Sequence, residues 1–383
     1  ILILDLVLNQ TWSFLIKPKY NNGKTYQLSK HRIALSRICS LNKKFPITKN
    51  MDKLTNLKIT IEKRLFLCKI QNEGLNSNDI RKIGIDMKER LFVIGTGGLT
   101  GSKLVEIAKN DFEIFGSYNY RDPRISFIEN VNLDISNTNQ VKEILEKIKP
   151  DTVINTTGIN NVDYCEKYPE EALKINVLAV KELCQITKKM NIKLVQLSSD
   201  SVFDGKKESP YNEIDIPKPI NRYGKTKLES ENIVLENSEN VVVRASVLYG
   251  RISNILAKLE SSSKKPINFG QWLINKLILN EKVRIITDEY SSPIIVDDFA
   301  QSILHIIKNK GNGIFHSAPK LQITRYDFSI KIAKALDLPH ELIEPVSNKE
   351  LGRDVNTGIN KCLNSDKLSK KLNYEFLTLD KSL

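Results

Sequence analysis

The sequence predicts an α/β protein built on a doubly wound parallel sheet, and three features predict it. From residue 88 onward, short and nearly all-apolar runs alternate with amphipathic runs of helical length. A glycine-rich turn joins the first apolar run to the first amphipathic one. The 383-residue chain is 40% hydrophobic, enough for the core that such a sheet needs. Strands that are apolar throughout belong in a parallel sheet covered on both faces, because a sheet with one wet face alternates polar and apolar residues.

The elements follow in order. RLFVIG (90–95) is the first strand, SKLVEIAKN (102–110) a helix, FEIFGSY (112–118) a strand and NQVKEILEKIK (139–149) a helix. DTVINTTG (151–158) is the next strand, and 169–191 reads as one long amphipathic helix. KLVQLSSD (193–200) is a strand, 225–237 a helix and VVVRASVLYG (241–250) a strand. Beyond Gly250 the alternation weakens: 253–271 reads as loop, 283–309 as strand, turn and helix, and 324–338 as helix. The expected division is therefore a nucleotide-binding domain over 87–250 and, over 251–383, mainly a smaller α/β substrate lobe. Before them, 1–86 mixes basic, polar and apolar residues without sustained periodicity. Position 1 is Ile, and Met87 stands just before the first strand, so this stretch is expected to be a poorly ordered basic extension or the product of a misplaced start.

Charge and cysteines exclude several function classes. The net charge of +13 is concentrated at the start: residues 1–86 hold 16 Lys and Arg against 6 Asp and Glu, leaving 42 against 39 for the rest. A nearly neutral body argues against nucleic acid or a membrane surface as partner. Five scattered cysteines form no CxxC pair and the four histidines show no ligand spacing, which predicts free thiols in the cytoplasm and no metal site. No run approaches the roughly 18 apolar residues of a membrane span.

Directly after the first strand, IGTGGLTG places Gly95, Gly98 and Gly101 at G-x-x-G-x-x-G spacing. One glycine makes the tight turn, one lets the backbone approach a pyrophosphate, and one lets helix and strand pack closely, while the helix N-terminus faces the phosphates. This is the loop of a Rossmann-type dinucleotide site, with Gly97 and Leu99 as further contacts. After the second strand, GSYNYRDPR sets its first acid between Arg121 and Arg124. Arginine there suits a 2′-phosphate, so NADP(H) is expected, with NAD(H) the alternative. Asp134 and Ile135 of NLDIS are placed near the adenine, and Thr156, Thr157 and Gly158 at the strand end where open parallel sheets bind ligands.

The catalytic candidates are Ser199, Tyr223 and Lys227. NRYGKTKLE puts Lys227 one helical turn after Tyr223, and LSSDSVFDG ends a strand with Ser198 and Ser199. A phenol with an ordinary pKa near 10 is a reluctant acid, and a lysine one turn away stabilises its anion. Ser199 would polarise a carbonyl oxygen. The same Tyr–Lys spacing at Tyr20 and Tyr26 has no such surroundings.

Together, GTGGLTG, SSDSVFDG and NRYGKTKLE resemble the extended short-chain dehydrogenases, specifically the dTDP-4-dehydrorhamnose reductase branch. The likeness runs from about Lys88 to Leu368 and includes Asp200, Phe203, Asp204, Gly205, Arg244, Ser246, Tyr249 and Gly250. It implies NAD(P)H-dependent reduction of the 4-keto group of a dTDP-4-keto-6-deoxy sugar, with Tyr223 as proton donor, a nucleotide-sugar substrate touching Asp200, Phe203 and Val247, and a homodimer. Val247 stands where bacterial members often carry Trp, Ser201 replaces a Tyr, and no Pro follows Arg353. The same stretches resemble the non-catalytic regulatory β subunit of methionine adenosyltransferase, and another nucleotide-sugar reductase or epimerase is the remaining alternative.

Overall fold

The computed structural model describes residues 88–120, 122–251, 268–352 and 355–383. The 1–86 extension, Arg121 and Arg353 lie outside the described residues.

The central sheet has seven parallel strands. In chain order the first part of the body is β1 (Arg90–Ile94), α1 (Leu99–Ala108), β2 (Glu113–Tyr118), β3 (Glu129–Asn132), α2 (Thr138–Ile148) and β4 (Thr152–Asn155). Then come α3 (Val162–Lys167), α4 (Pro169–Leu173), α5 (Ala179–Lys189), β5 (Lys193–Ser199), α6 (Arg222–Leu235) and β6 (Val241–Ala245). The longer helices that follow among the described residues are α7 (Phe269–Ile278), α8 (Val296–Lys308) and α9 (Arg325–Ala335), with the seventh sheet strand, β7 (Gly313–Ser317), between the last two. The spatial order is β7-β6-β5-β4-β1-β2-β3, so the direction of winding reverses between β1 and β4. In open parallel sheets such a reversal is where ligands bind, outside the carboxyl ends of the strands.

Alternation along β1 explains the two covered faces. Leu91 and Val93 enter a cluster with Leu104 and Val105 of α1 and Phe299 and Ile303 of α8. Phe92 and Ile94 point the other way, to Val141 and Leu145 of α2 and Val180 and Leu183 of α5. All four β1 side chains are at most 1% exposed, each burial contributing about 1.5–3 kcal/mol. Helix α2 buries Val141, Leu145 and Ile148, starts where Asn137 accepts the Gln140 N–H at 3.1 Å, and ends on Lys149 in the left-handed region.

Three expectations change in detail. The stretch 169–191 is not one helix: α4 passes through a single π turn (Lys174–Leu178) into α5. The segment 253–271, read as loop, contains the start of α7, whose N-cap Asn268 accepts the Gln271 N–H at 3.0 Å. The portion after Gly250 is not a separate lobe throughout, because β7 completes the central sheet beside β6 and α8 packs on α1. What remains forms the small lobe: strand pairs Leu248–Tyr249 with Ile294–Ile295 and Val283–Ile286 with Ile343–Val346, closed by α7 and α9 around Leu273, Leu277, Phe328 and Ile332.

Candidate active site

The turn after β1 is built by close approaches. Gly95 has φ +97°, and a Cβ there would stand 2.6 Å from Thr156 Oγ1. A Cβ on Gly101 would come within 2.2 Å of the Gly95 carbonyl oxygen, so only glycine lets α1 rise this close to the turn. Gly97 and Gly98 are exposed. Gly98 supplies no side chain to cap α1, whose first turn carries no acid, leaving its N–H groups and positive end for an anion. An exposed glycine backbone before an uncapped helix, at the sheet's switch point, fits a dinucleotide pyrophosphate. Leu99 opens the helix.

Around the crevice, Thr156 donates to the Ile94 carbonyl at 2.7 Å and Thr157 to Asn155 Oδ1 at 2.6 Å. Gly158, exposed with φ +151°, lies where a Cβ would meet Asn176 Oδ1 at 3.0 Å and Lys227 Nζ at 3.3 Å. At the end of β3, Asp134 accepts from the backbone and hydroxyl of Ser136 at 2.9 and 2.8 Å, and Ile135 is buried beneath it. Arg124 is exposed, and its N–H is held by Asp122 at 2.8 Å, so that acid is turned into its own loop.

The structure brings Ser199, Tyr223 and Lys227 together. Asn221 caps α6 by accepting the Gly224 N–H at 2.8 Å, which sets Tyr223 in the first turn. A Cβ on Gly224 would stand 2.0 Å from the Ser201 carbonyl oxygen, so this glycine lets the turn press against the end of β5. The Tyr223 phenol is buried, which raises its pKa; the adjacent Ser199 hydroxyl acts the other way, and the charge of Asp200 raises it further. Lys227 donates to the Leu197 carbonyl at 3.2 Å, with Nζ 5.9 Å from the Tyr223 ring centre. Burial pulls its ammonium down to about 8, against the opposing pull of Glu231. A buried phenol beside a buried ammonium is an arrangement that can transfer a proton.

The family model of the RmlD substrate binding domain matches residues 89–381. The chain belongs to this family. It is 30% identical over 294 residues to a probable low-salt glycan biosynthesis reductase, Agl14, of Haloferax volcanii, covering 76% of this chain and 95% of that one. It is 29% identical over 278 residues to the methionine adenosyltransferase 2 subunit beta of Xenopus tropicalis, covering 69% and 77%. Among solved structures, dTDP-4-dehydrorhamnose reductase of Bacillus anthracis in complex with NADP superposes with a TM-score of 0.67 at 26% identity, covering 77% of this chain and 97% of that one. This RmlD-family chain is an NAD(P)-dependent oxidoreductase on a Rossmann-type fold. No helix among the described residues is long and apolar enough to cross a membrane.

Of the residues expected at the sugar in this RmlD-family member, two are buried. Asp200 is 6% exposed, and its carboxylate accepts the hydroxyls of Ser199 (2.9 Å), Ser201 (3.3 Å) and Ser246 (2.8 Å), placing it behind Ser199. Phe203 is 1% exposed, stacked on Tyr211 at 4.1 Å with His316 at its edge. Val247 is half-buried against the small-lobe core.

Asn176 escaped the sequence reading. Placed by the π turn and 3% exposed, it accepts the Ile159 N–H at 2.8 Å and donates to the Ile159 carbonyl at 3.0 Å and to Thr226 Oγ1 at 3.1 Å. It thereby ties the loop after β4 to α6 beside Lys227. The signal was present as a polar residue on the apolar stripe of KINVLAV.

Proposed function

We propose that this protein reduces the 4-keto group of a dTDP-4-keto-6-deoxy sugar with NADPH, as a dTDP-4-dehydrorhamnose reductase does. The observation that carries the reading is the convergence of Ser199, Tyr223 and Lys227 at the carboxyl edge of the sheet, beside a turn shaped for a dinucleotide. The 95–101 turn and the 156–158 loop would hold NADPH, which would supply the hydride. Tyr223 donates the proton that the developing alkoxide requires. Lys227, as ammonium, stabilises the phenolate left behind, one helical turn away. Ser199 turns its hydroxyl from Asp200 toward the ketone oxygen and polarises it, while Ser201 and Ser246 keep Asp200 satisfied.

The test is NADPH oxidation by the full chain with a dTDP-4-keto-6-deoxy sugar, against Tyr223→Phe. Substrate-dependent turnover falling about 10²–10⁴-fold in the variant, with NADPH still bound, supports the reading. Absence of turnover in a parent protein that binds NADPH defeats it. The likeness to the methionine adenosyltransferase subunit favours a second reading, a cofactor-binding regulatory subunit. That reading predicts stable co-purification with an adenosylmethionine synthetase and no turnover.

A further inference from the structure

Helix α6 carries three ionisable side chains at four-residue spacing on one buried face, Tyr223, Lys227 and Glu231, which are 8%, 6% and 1% exposed. The first two meet the crevice; the third does not. Glu231 is gripped by Arg244 of β6, which donates from Nε to Oε1 at 2.9 Å and from Nη2 to Oε2 at 2.6 Å. Both side chains are 1% exposed. Replacing a buried pair of this kind with apolar residues is often neutral or stabilising, so stability alone is a weak reason for it.

The rest of the guanidinium is also occupied. Arg244 Nη1 lies 3.3 Å from His316 Nε2, and the guanidinium carbon lies 5.1 Å from the Phe203 ring centre. His316 Nδ1 faces the carbonyls of Tyr211 and Asn364, both at 3.1 Å, so the proton belongs on Nδ1 and Nε2 accepts from Arg244. Burial and the Arg244 charge keep that imidazole neutral. The fork is therefore held in one position by three residues, Glu231, His316 and Phe203.

Side chains on a helix lean toward its N-terminus, so an unrestrained Glu231 carboxylate would reach back to the ammonium one turn earlier. We propose that Arg244 is a positioning residue: by holding both oxygens of Glu231 it keeps that carboxylate from capturing Lys227, and so leaves the Lys227 ammonium directed at Tyr223 and the crevice. Lys227 is otherwise faced by the Leu197 carbonyl on β5, by the Cys165 thiol of α3, by Tyr223 on its own helix, and by Asp200 beyond Tyr223. Against these, Glu231 is the carboxylate one turn away on the same helix. The role assigned to Arg244 rests on the reading of Tyr223 and Lys227 as the proton-transfer pair.

The experiment follows the Lys227 side chain by NMR in isotope-labelled full-length protein without substrate, assigned with Lys227→Arg. In Arg244→Met, the freed carboxylate is expected to raise the Lys227 titration midpoint by about one pH unit or more. In the double variant Glu231→Gln/Arg244→Met, the midpoint returns to the parent value or falls below it. Arg244→Lys keeps the charge but loses the two-pronged grip, and moves the midpoint upward by less. An unchanged midpoint in both single variants, or a rise that persists in the double variant, overturns the proposal. Should Arg244→Met fail to fold, Arg244→Lys and the double variant decide on the same criteria. Turnover should fall in the single variants and recover in the double one. The titration needs no turnover, so failure of the reductase reading and failure of this inference are separable.

Discussion

Adding one methyl group at Gly101 tests the cofactor turn without reference to any sugar. The new Cβ would lie 2.2 Å from the Gly95 carbonyl oxygen and 2.7 Å from its carbonyl carbon. Both are backbone atoms, so no side chain can swing aside, and α1 must retreat from the turn by about 1 Å to reach ordinary contact. Overpacking of this kind costs about 1–3 kcal/mol, and the retreat moves the N–H groups of α1 away from where a pyrophosphate would sit. Gly98 is the control, because a Cβ there meets the Gly95 carbonyl oxygen at 3.4 Å and its φ of −94° suits any residue. Gly98→Ala should keep parental stability within about 0.5 kcal/mol, yet place its methyl on the exposed path of the cofactor. Thermal melts and NADPH fluorescence titrations of the full chain should therefore separate the two. Gly101→Ala loses stability and at least about tenfold in NADPH affinity, equivalent to 1.4 kcal/mol, while Gly98→Ala loses affinity alone. Parental affinity in either folded variant would refute the placement of the phosphates.

Three further outcomes follow from the same geometry. Gly224→Ala, whose Cβ would stand 2.0 Å from the Ser201 carbonyl oxygen, should move the first turn of α6 off the end of β5 and lower kcat about 10²-fold; a parental kcat contradicts it. The proposed mechanism needs Lys227 as an ammonium, and burial brings it down to about 8, so kcat/KM for reduction should decline as pH rises through about 8, and a flat profile from pH 7 to about 9 would count against that role. His316 is depressed to about 3, first by burial and then by Arg244, so between its ordinary value of 6.5 and about 3 the unfolded chain binds a proton that the folded chain refuses. Stability should accordingly be full above pH 6.5 and fall toward pH 3, by on the order of 4 kcal/mol, and urea melts of His316→Gln should show a shallower slope over that window.

Much of the site was legible along the chain because its parts are local. The Gly95–Gly101 turn lies within seven residues, Lys227 lies one helical turn from Tyr223, and LSSD marks Ser199 at a strand end. Each belongs to a single strand–turn–helix unit, where spacing and backbone geometry dictate one another. The 2′-phosphate reading was local too, but its Arg121 lies outside the described residues.

By itself the sequence determined the alternating elements, the parallel sheet and the two chemical motifs, since hydrophobic period and glycine position act over a few residues. Only the tertiary structure decided that β7 returns to the sheet from beyond Gly250, that Asp200 faces three serine hydroxyls and that Phe203 stacks on Tyr211. It alone decided that Arg244 reaches Glu231 across 13 residues and His316 across 72. The physical reason is that burial and pairing depend on which elements share a face of the sheet. A buried carboxylate or guanidinium shows its partner only when the strands that carry them stand side by side.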